Sequence, residues 1–126
     1  KEGLANLSFV DRIGDAGEMP LLLGSGLMQY LDMPLSGLLS QMPSRPQHLI
    51  LNKVALRKGN TVVTLERIGR SYVPYHMRNE AEFLDDIARL GYKQVDRWSI
   101  PSLSHAIDTH PEFGRSESAG FYFRLG

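Results

Sequence analysis

The chain contains no cysteine, has no net charge and lacks any long run of apolar residues. Without cysteine it forms no disulfide bond and no cysteine-ligated zinc site, and it suits a reducing compartment, so we expect a cytoplasmic protein. Fourteen Lys and Arg residues balance fourteen Asp and Glu residues, which argues against electrostatic capture of nucleic acid or of an anionic membrane. No apolar run approaches the roughly 18 residues that span a bilayer, and no signal peptide is visible.

The length of 126 residues, of which 42% are hydrophobic, allows one domain with a substantial core. The chain begins at Lys1 rather than at methionine, and we expect it to be part of a longer protein. Residues 1–126 are therefore interpreted as a single α/β domain of that protein.

Apolar periodicity predicts strands that alternate with helices. Pro34 suits the first turn of one helix, and Asn79 caps another, with Glu82 three residues later. The order predicts a mostly parallel α/β sheet whose last strand is antiparallel. The predicted strands lie at about 7–10, 21–24, 48–56, 61–65, 92–100 and 119–125, the helices at about 34–42 and 79–90, and the loops at about 66–78 and 101–116.

Six short segments occur in an order that is specific even though each is weak alone. They are Ser25–Leu31, Leu49–Lys53, Pro74–Tyr75 with Asn79, Leu90–Tyr92, His110–Glu112 and Gly120–Phe123. In this order they resemble the carboxyl-terminal half of a class I, Rossmann-like, S-adenosylmethionine-dependent methyltransferase. More narrowly, they resemble a methyltransferase family associated with bacterial cell-surface polysaccharide genes.

This resemblance implies methyl transfer from S-adenosylmethionine to a hydroxyl or amine of a small or saccharide-like acceptor. Two features of such enzymes are missing here, namely the glycine-rich loop after the first strand and the acidic residue that holds the ribose. We therefore expect the full-length protein to bind the cofactor, and we expect the 126 residues alone to be inactive.

Candidate cofactor contacts follow the first buried strand. Ser25, Gly26 and Leu27 lie at its carboxyl end, where open α/β sheets bind ligands, and glycine lets a ligand approach the backbone closely. A simple turn is the alternative. The resemblance further implies that Asp15 bonds the adenine amino group, although an exposed loop aspartate is the commoner explanation for such a residue.

Candidate acceptor contacts cluster before the second helix. Tyr72, Tyr75 and Arg78 can bond to and stack on a polar acceptor. His76 is a candidate catalytic base, because histidine exchanges a proton near neutral pH. Packing of Tyr75 in the core is the alternative.

A second polar segment contains His105, Asp108, His110 and Glu112. Its spacing matches no compact metal-ligand motif, so we expect no metal. His110 is a candidate catalytic residue and Glu112 a candidate acceptor contact. We expect residues 72–79 and 105–112 to be loops that face one cleft at the carboxyl ends of the strands.

Two functions of different classes remain open. One is the methyltransferase, whose partner is a small-molecule or saccharide acceptor, with no role for nucleic acid or membrane. The other is a non-catalytic interaction or dimerisation module, because an exposed strand edge invites pairing with a second copy.

Overall fold

The computed structural model describes residues 6–126 and arranges them around a six-stranded mixed sheet. The strands are β1 (Leu21–Ser25), β2 (His48–Arg57), β3 (Val62–Ile68), β4 (Ser71–Asn79), β5 (Tyr92–Ser99) and β6 (Glu117–Leu125). The helices of this part of the chain are α1 (Leu35–Leu39), α2 (Glu80–Arg89) and three 3-10 helices at Ile13–Ala16, Pro101–Leu103 and Pro111–Phe113. Neither α-helix is long and apolar enough to cross a membrane.

Strand β2 is central and changes neighbours along its length. The sheet order is β3-β4-β2-β6-β5, and β1 also pairs with β2. Strand β1 runs parallel to the first half of β2, from the pair Leu21 and His48 to the pair Ser25 and Asn52. Strand β4 runs parallel to the end of β2, at Leu56 and Arg57. One edge of β2 is therefore shared between two strands, whereas β6 covers the other edge.

The expected mostly parallel, Rossmann-like α/β sheet is wrong. The pairings β2–β6, β3–β4 and β5–β6 are antiparallel, and only β1–β2 and β2–β4 are parallel. Most of the error lies in residues 66–78, which we expected to be a loop and which form most of a β-hairpin. Gly69 has a φ of 59° in its two-residue turn, a conformation that favours such turns. In addition, β6 lies inside the sheet rather than at its edge.

Other expectations were partly met. Strands were confirmed near 21–24, 48–56, 92–100 and 119–125. Residues 7–10 form no strand and are exposed, and α1 is shorter than the predicted 34–42 helix. Helix α2 was confirmed at Glu80–Arg89. Asn79 caps it as predicted, since its side chain accepts a hydrogen bond from the Glu82 amide at 2.9 Å. Gly91 ends it at a φ of 97°, as glycine commonly does after a helix.

The main core lies between the sheet and the two α-helices. Strand β2 contributes the fully buried Leu49, Leu51, Val54 and Leu56. They belong to one cluster with residues of both helices and β6, among them Leu35, Leu39, Phe83, Ile87, Phe121 and Phe123. A second, smaller cluster of Ala55, Tyr75 and Met77 joins β2 to β4.

A β-bulge interrupts β2 at Asn52 and Lys53. The register with β6 shifts between Leu51 and Val54, and Lys53 has a φ of 57°. The bulge presents the Asn52 side-chain oxygen to the Trp98 indole N–H at 2.9 Å. The indole lies over Gly120, where a Cβ atom would be 2.0 Å from the ring. Glycine at this position therefore makes room for Trp98.

We predict that Gly120→Ala destabilises the protein by about 1–3 kcal/mol, because the added methyl group overlaps the Trp98 indole and the strand or ring must shift. The free energy of unfolding from chemical denaturation measures this effect. The cost should shrink when Gly120→Ala is made in a Trp98→Ala background. An unchanged cost in that background contradicts the proposed overlap.

Candidate functional site

A cleft of about 220 Å³ lies between the β3–β4 hairpin and the segment that follows β5. Tyr75 and Met77 of β4 are buried and form its floor. The hairpin and the later segment supply its walls, which are Thr64, Leu65, Glu66, His105, Ala106, Ile107 and Asp108. Two carboxylates, an imidazole and a hydroxyl therefore surround an aromatic floor.

Strand alternation and a braced loop place these side chains. Thr64 is paired with Tyr75 in the hairpin register, and side chains two residues apart in a strand share a face, so Glu66 lies on the face of Thr64. The segment that carries His105 is held by buried Ser116. The Ser116 amide donates to the His105 carbonyl at 2.7 Å, and the His105 amide donates to the Ser116 hydroxyl at 3.0 Å.

Three aromatic rings connect the cleft to the segment after β1. The Tyr30 and Tyr75 rings meet edge to face with centroids 5.7 Å apart. Tyr75 meets the His105 ring in the same way at 5.1 Å. The Tyr30 hydroxyl donates to the Glu66 carboxylate at 2.5 Å. Parts of the chain that are distant in sequence thus meet around Tyr75.

Both tyrosines at the cleft remain neutral over the physiological range. The hydrogen bond to Glu66, with smaller contributions from burial and from the charge of that carboxylate, raises the pKa of Tyr30 to about 12. Burial is the main cause that raises the pKa of Tyr75 to about 12, and the Glu66 charge adds to it. These phenols therefore act as hydrogen-bond donors and not as bases.

The predicted acceptor residues are distributed over both faces of β4. Tyr75 is in the cleft, whereas Tyr72 is 64% exposed and lies on the other face of the hairpin. The backbone amide of His76 donates to the Gln29 carbonyl at 2.7 Å, and its ring Nδ1 lies 3.0 Å from the same oxygen. His76 therefore joins β4 to the segment after β1, and it does not line the cleft.

Arg78 is also engaged in joining these segments. Its guanidinium donates to the Met28 carbonyl at 2.9 Å and to the Leu31 carbonyl. Burial lowers the pKa of Arg78, an effect opposed by the nearby charge of Asp86. Arg78 also lines a separate cavity of about 90 Å³ with residues of α1 and α2. Its hydrogen bonds to the two carbonyl groups show that it joins β4 to the segment after β1.

The expected pair of facing loops is wrong in part. Residues 72–79 belong to strand β4, in which residues 71–77 pair with β3 and the last two, Arg78 and Asn79, pair with β2. The later segment does meet them, but through His105. His110 and Glu112 do not line the cleft. The His110 ring instead stacks on Phe113 with centroids 5.5 Å apart. Within residues 6–126, no three His, Asp or Glu side chains converge as a metal site would require.

Three of the four candidate cofactor contacts, Ser25, Gly26 and Leu27, lie at the end of β1. The Ser25 hydroxyl accepts a hydrogen bond from the Asn52 side chain at 3.4 Å, and the Gly26 amide donates to the Asn52 carbonyl at 3.0 Å. Asp15 is exposed in a 3-10 helix. None of Asp15, Ser25, Gly26 and Leu27 lines the cleft or the Arg78 cavity. These residues therefore do not by themselves enclose a ligand as large as S-adenosylmethionine.

Sequence reasoning missed Tyr30, Glu66 and His105 as a group. The sequence predicts a loop that begins at Glu66, whereas Glu66 lies inside β3. The β-branched and aromatic residues that continue through Tyr72 and Val73 were the available signal for a longer hairpin. No signal in the sequence indicated that Tyr30 would contact Glu66.

Compared with models of known protein families and with curated protein sequences, the chain matches none.

We predict that Tyr30→Phe removes one tyrosine that ionises only near pH 12, against an ordinary value of 10.0. Because the folded-state pKa is raised, the stabilisation from Tyr30 is complete below about pH 10 and is lost as the pH rises towards about 12. A titration of phenolate absorbance measures the ionisation. Tyr72→Phe, at an exposed position, is the control and should leave the late ionisation intact. Simultaneous ionisation of all tyrosines near pH 10 contradicts the prediction.

Proposed function

We propose that the full-length protein is an S-adenosylmethionine-dependent methyltransferase and that the cleft at Tyr75 and His105 binds its acceptor. The order of the six motif segments supports the reaction class. One observation supports the site: the Tyr75–His105 contact at 5.1 Å brings two distant segments together around a polar cleft. The mixed sheet neither supports nor excludes this reaction, because a fold does not by itself specify a function.

The lining of the cleft suits a small hydroxyl- or amine-bearing acceptor, such as one sugar unit. Its volume of about 220 Å³ is below the roughly 300 Å³ at which pockets for drug-sized ligands begin. The Tyr75 ring offers an apolar surface to a sugar, while Glu66 and Asp108 accept hydrogen bonds from hydroxyl or ammonium groups. No Lys or Arg among residues 6–126 lines this cleft, which disfavours an anionic acceptor.

The chain's own contribution to methyl transfer is to orient the acceptor and to receive its proton. Orientation supplies most of the rate enhancement in reactions of this kind. The raised pKa values of Tyr30 and Tyr75 favour the neutral phenols and so disfavour both as bases. Glu66 already accepts the Tyr30 hydroxyl. His105 and Asp108 are thus the cleft residues best placed to take the proton.

The cofactor, when bound, supplies the methyl group. Since the described candidates at the end of β1 do not enclose it, the proposal places most cofactor contacts outside residues 6–126. We also propose that the full-length protein is cytoplasmic, because the absence of cysteine from this chain suits a reducing compartment. One short segment connects the end of β1 to the cleft. Ser25 at its start is bonded to Asn52, and Tyr30 further along is bonded to Glu66.

We predict that calorimetry detects binding of S-adenosylmethionine to the full-length protein and that the 126-residue chain alone shows no methyl transfer. The test requires circular dichroism to show that both proteins are folded. A folded full-length protein that does not bind the cofactor contradicts the proposal. Turnover by the 126-residue chain, free of longer contaminants, contradicts the second half.

We further predict that His105→Ala in the full-length protein lowers kcat by about 100-fold, as expected for loss of a proton acceptor. Methyl transfer to a panel of sugars with free hydroxyl or amine groups provides the assay. His110→Ala is the matched control, because His110 stacks on Phe113 outside the cleft. Equal losses of kcat in both variants, or a loss matched by the free energy of unfolding, contradict an acceptor site at His105.

A further inference from the structure

Strand β3 forms an open edge of the sheet. It pairs with β4 on one side, and its other side has no partner strand in the described part of the chain. Val63, Leu65 and Ile68 of this strand are 56%, 67% and 52% exposed. An exposed, regular strand edge with apolar side chains is a template for pairing with another strand.

The opposite edge of the sheet, β5, is protected against such pairing. Its register with β6 is interrupted between Gln94 and Asp96, and Lys93, Asp96 and Arg97 place charges along it. Bulges and charges are the usual means of blocking edge association. The register of β3 with β4 is continuous from Val62 to Ile68, so β3 lacks such a bulge, and its charged residues are limited to Glu66 and Arg67.

The backbone groups that β3 leaves unpaired can be identified from its neighbour. Leu65 lies opposite Pro74 of β4, and proline has no N–H to donate. Two residues later in β4, the His76 amide donates to the Gln29 carbonyl, which lies on the side of β4 away from β3. Because hydrogen-bonded and non-hydrogen-bonded pairs alternate in an antiparallel ladder, Val63, Leu65 and Arg67 direct their N–H and C=O groups away from β4.

The charge pattern of β3 is compatible with a second copy of itself. With an antiparallel copy centred on Leu65, all residues of β3 pair, Val63 faces Arg67 of the second copy, and Thr64 faces Glu66. No like charges are opposed. Moving the centre one residue towards Ile68 opposes Glu66 to Glu66, which is unfavourable. Moving it one residue towards Val62 leaves fewer residues paired.

We propose that a second copy of this chain pairs antiparallel with β3, with the twofold axis at Leu65. The interface adds to the backbone hydrogen bonds an apolar strip on one face of the hairpins, formed by Val63, Leu65, Tyr72 and Pro74. On the other face it places Thr64 and Glu66 of each copy side by side, so the two clefts lie next to each other. The pairing is independent of the proposed methyl transfer.

Sedimentation of the wild-type chain across a dilution series tests the dimer. We expect Leu65→Lys to raise the dimer dissociation constant by at least about tenfold, because it opposes two ammonium groups at the axis and removes an apolar contact. Leu23→Lys is the matched control, since Leu23 is a leucine of similar exposure, 64%, on the open edge of β1. A monomeric wild-type chain, or dissociation caused by Leu23→Lys and not by Leu65→Lys, overturns the proposal.

Crosslinking tests the register. The chain has no cysteine, so Leu65→Cys introduces the sole thiol. At the centre of a hydrogen-bonded antiparallel pair the two Cα atoms are about 5.5 Å apart, within the roughly 4.4–6.8 Å that a disulfide spans. We expect Leu65→Cys to form a covalent dimer under mild oxidation much faster than Leu23→Cys. Equal rates for the two variants overturn pairing at Leu65.

Discussion

The sharing of one edge of β2 between two parallel strands is the constraint on which the rest of the structure depends. Strand β1 occupies that edge up to Asn52, and β4 occupies it from Leu56. The chain that leaves β1 must therefore pass alongside β4. His76 and Arg78 bind its carbonyl groups at Gln29, Met28 and Leu31. These bonds satisfy backbone acceptors that would otherwise be costly to bury.

The position of Tyr30 follows from this arrangement. Two residues after the Met28 carbonyl that Arg78 binds, the chain brings the Tyr30 hydroxyl to Glu66 and its ring to Tyr75. The cleft therefore depends on residues that contribute no atoms to its lining. The sequence suggests His76 as a catalytic base and Arg78 as an acceptor contact. In the structure both instead bind the segment that carries Tyr30, whose hydroxyl binds Glu66.

The hairpin carries two different surfaces because strand side chains alternate. Thr64, Glu66 and Tyr75 lie on the face that forms the cleft, while Val63 and Pro74 lie on the exposed face, together with Leu65, which also borders the cleft. A single element can in this way combine a polar recess with an apolar strip. Periodicity alone predicts a loop at residues 66–78, and a loop would not hold the side chains of the two faces in this alternating arrangement.

The sequence by itself determined the local elements. Apolar runs indicated β1 and β2, Asn79 and Gly91 marked the two ends of α2, and the absence of cysteine excluded disulfides and cysteine-ligated zinc. Only the tertiary structure decided that β2 lies between β4 and β6 and that His105 rather than His110 reaches Tyr75. The reason is that helix caps and strand periodicity depend on residues close in sequence, whereas strand pairing and the cleft depend on contacts between segments that lie far apart along the chain.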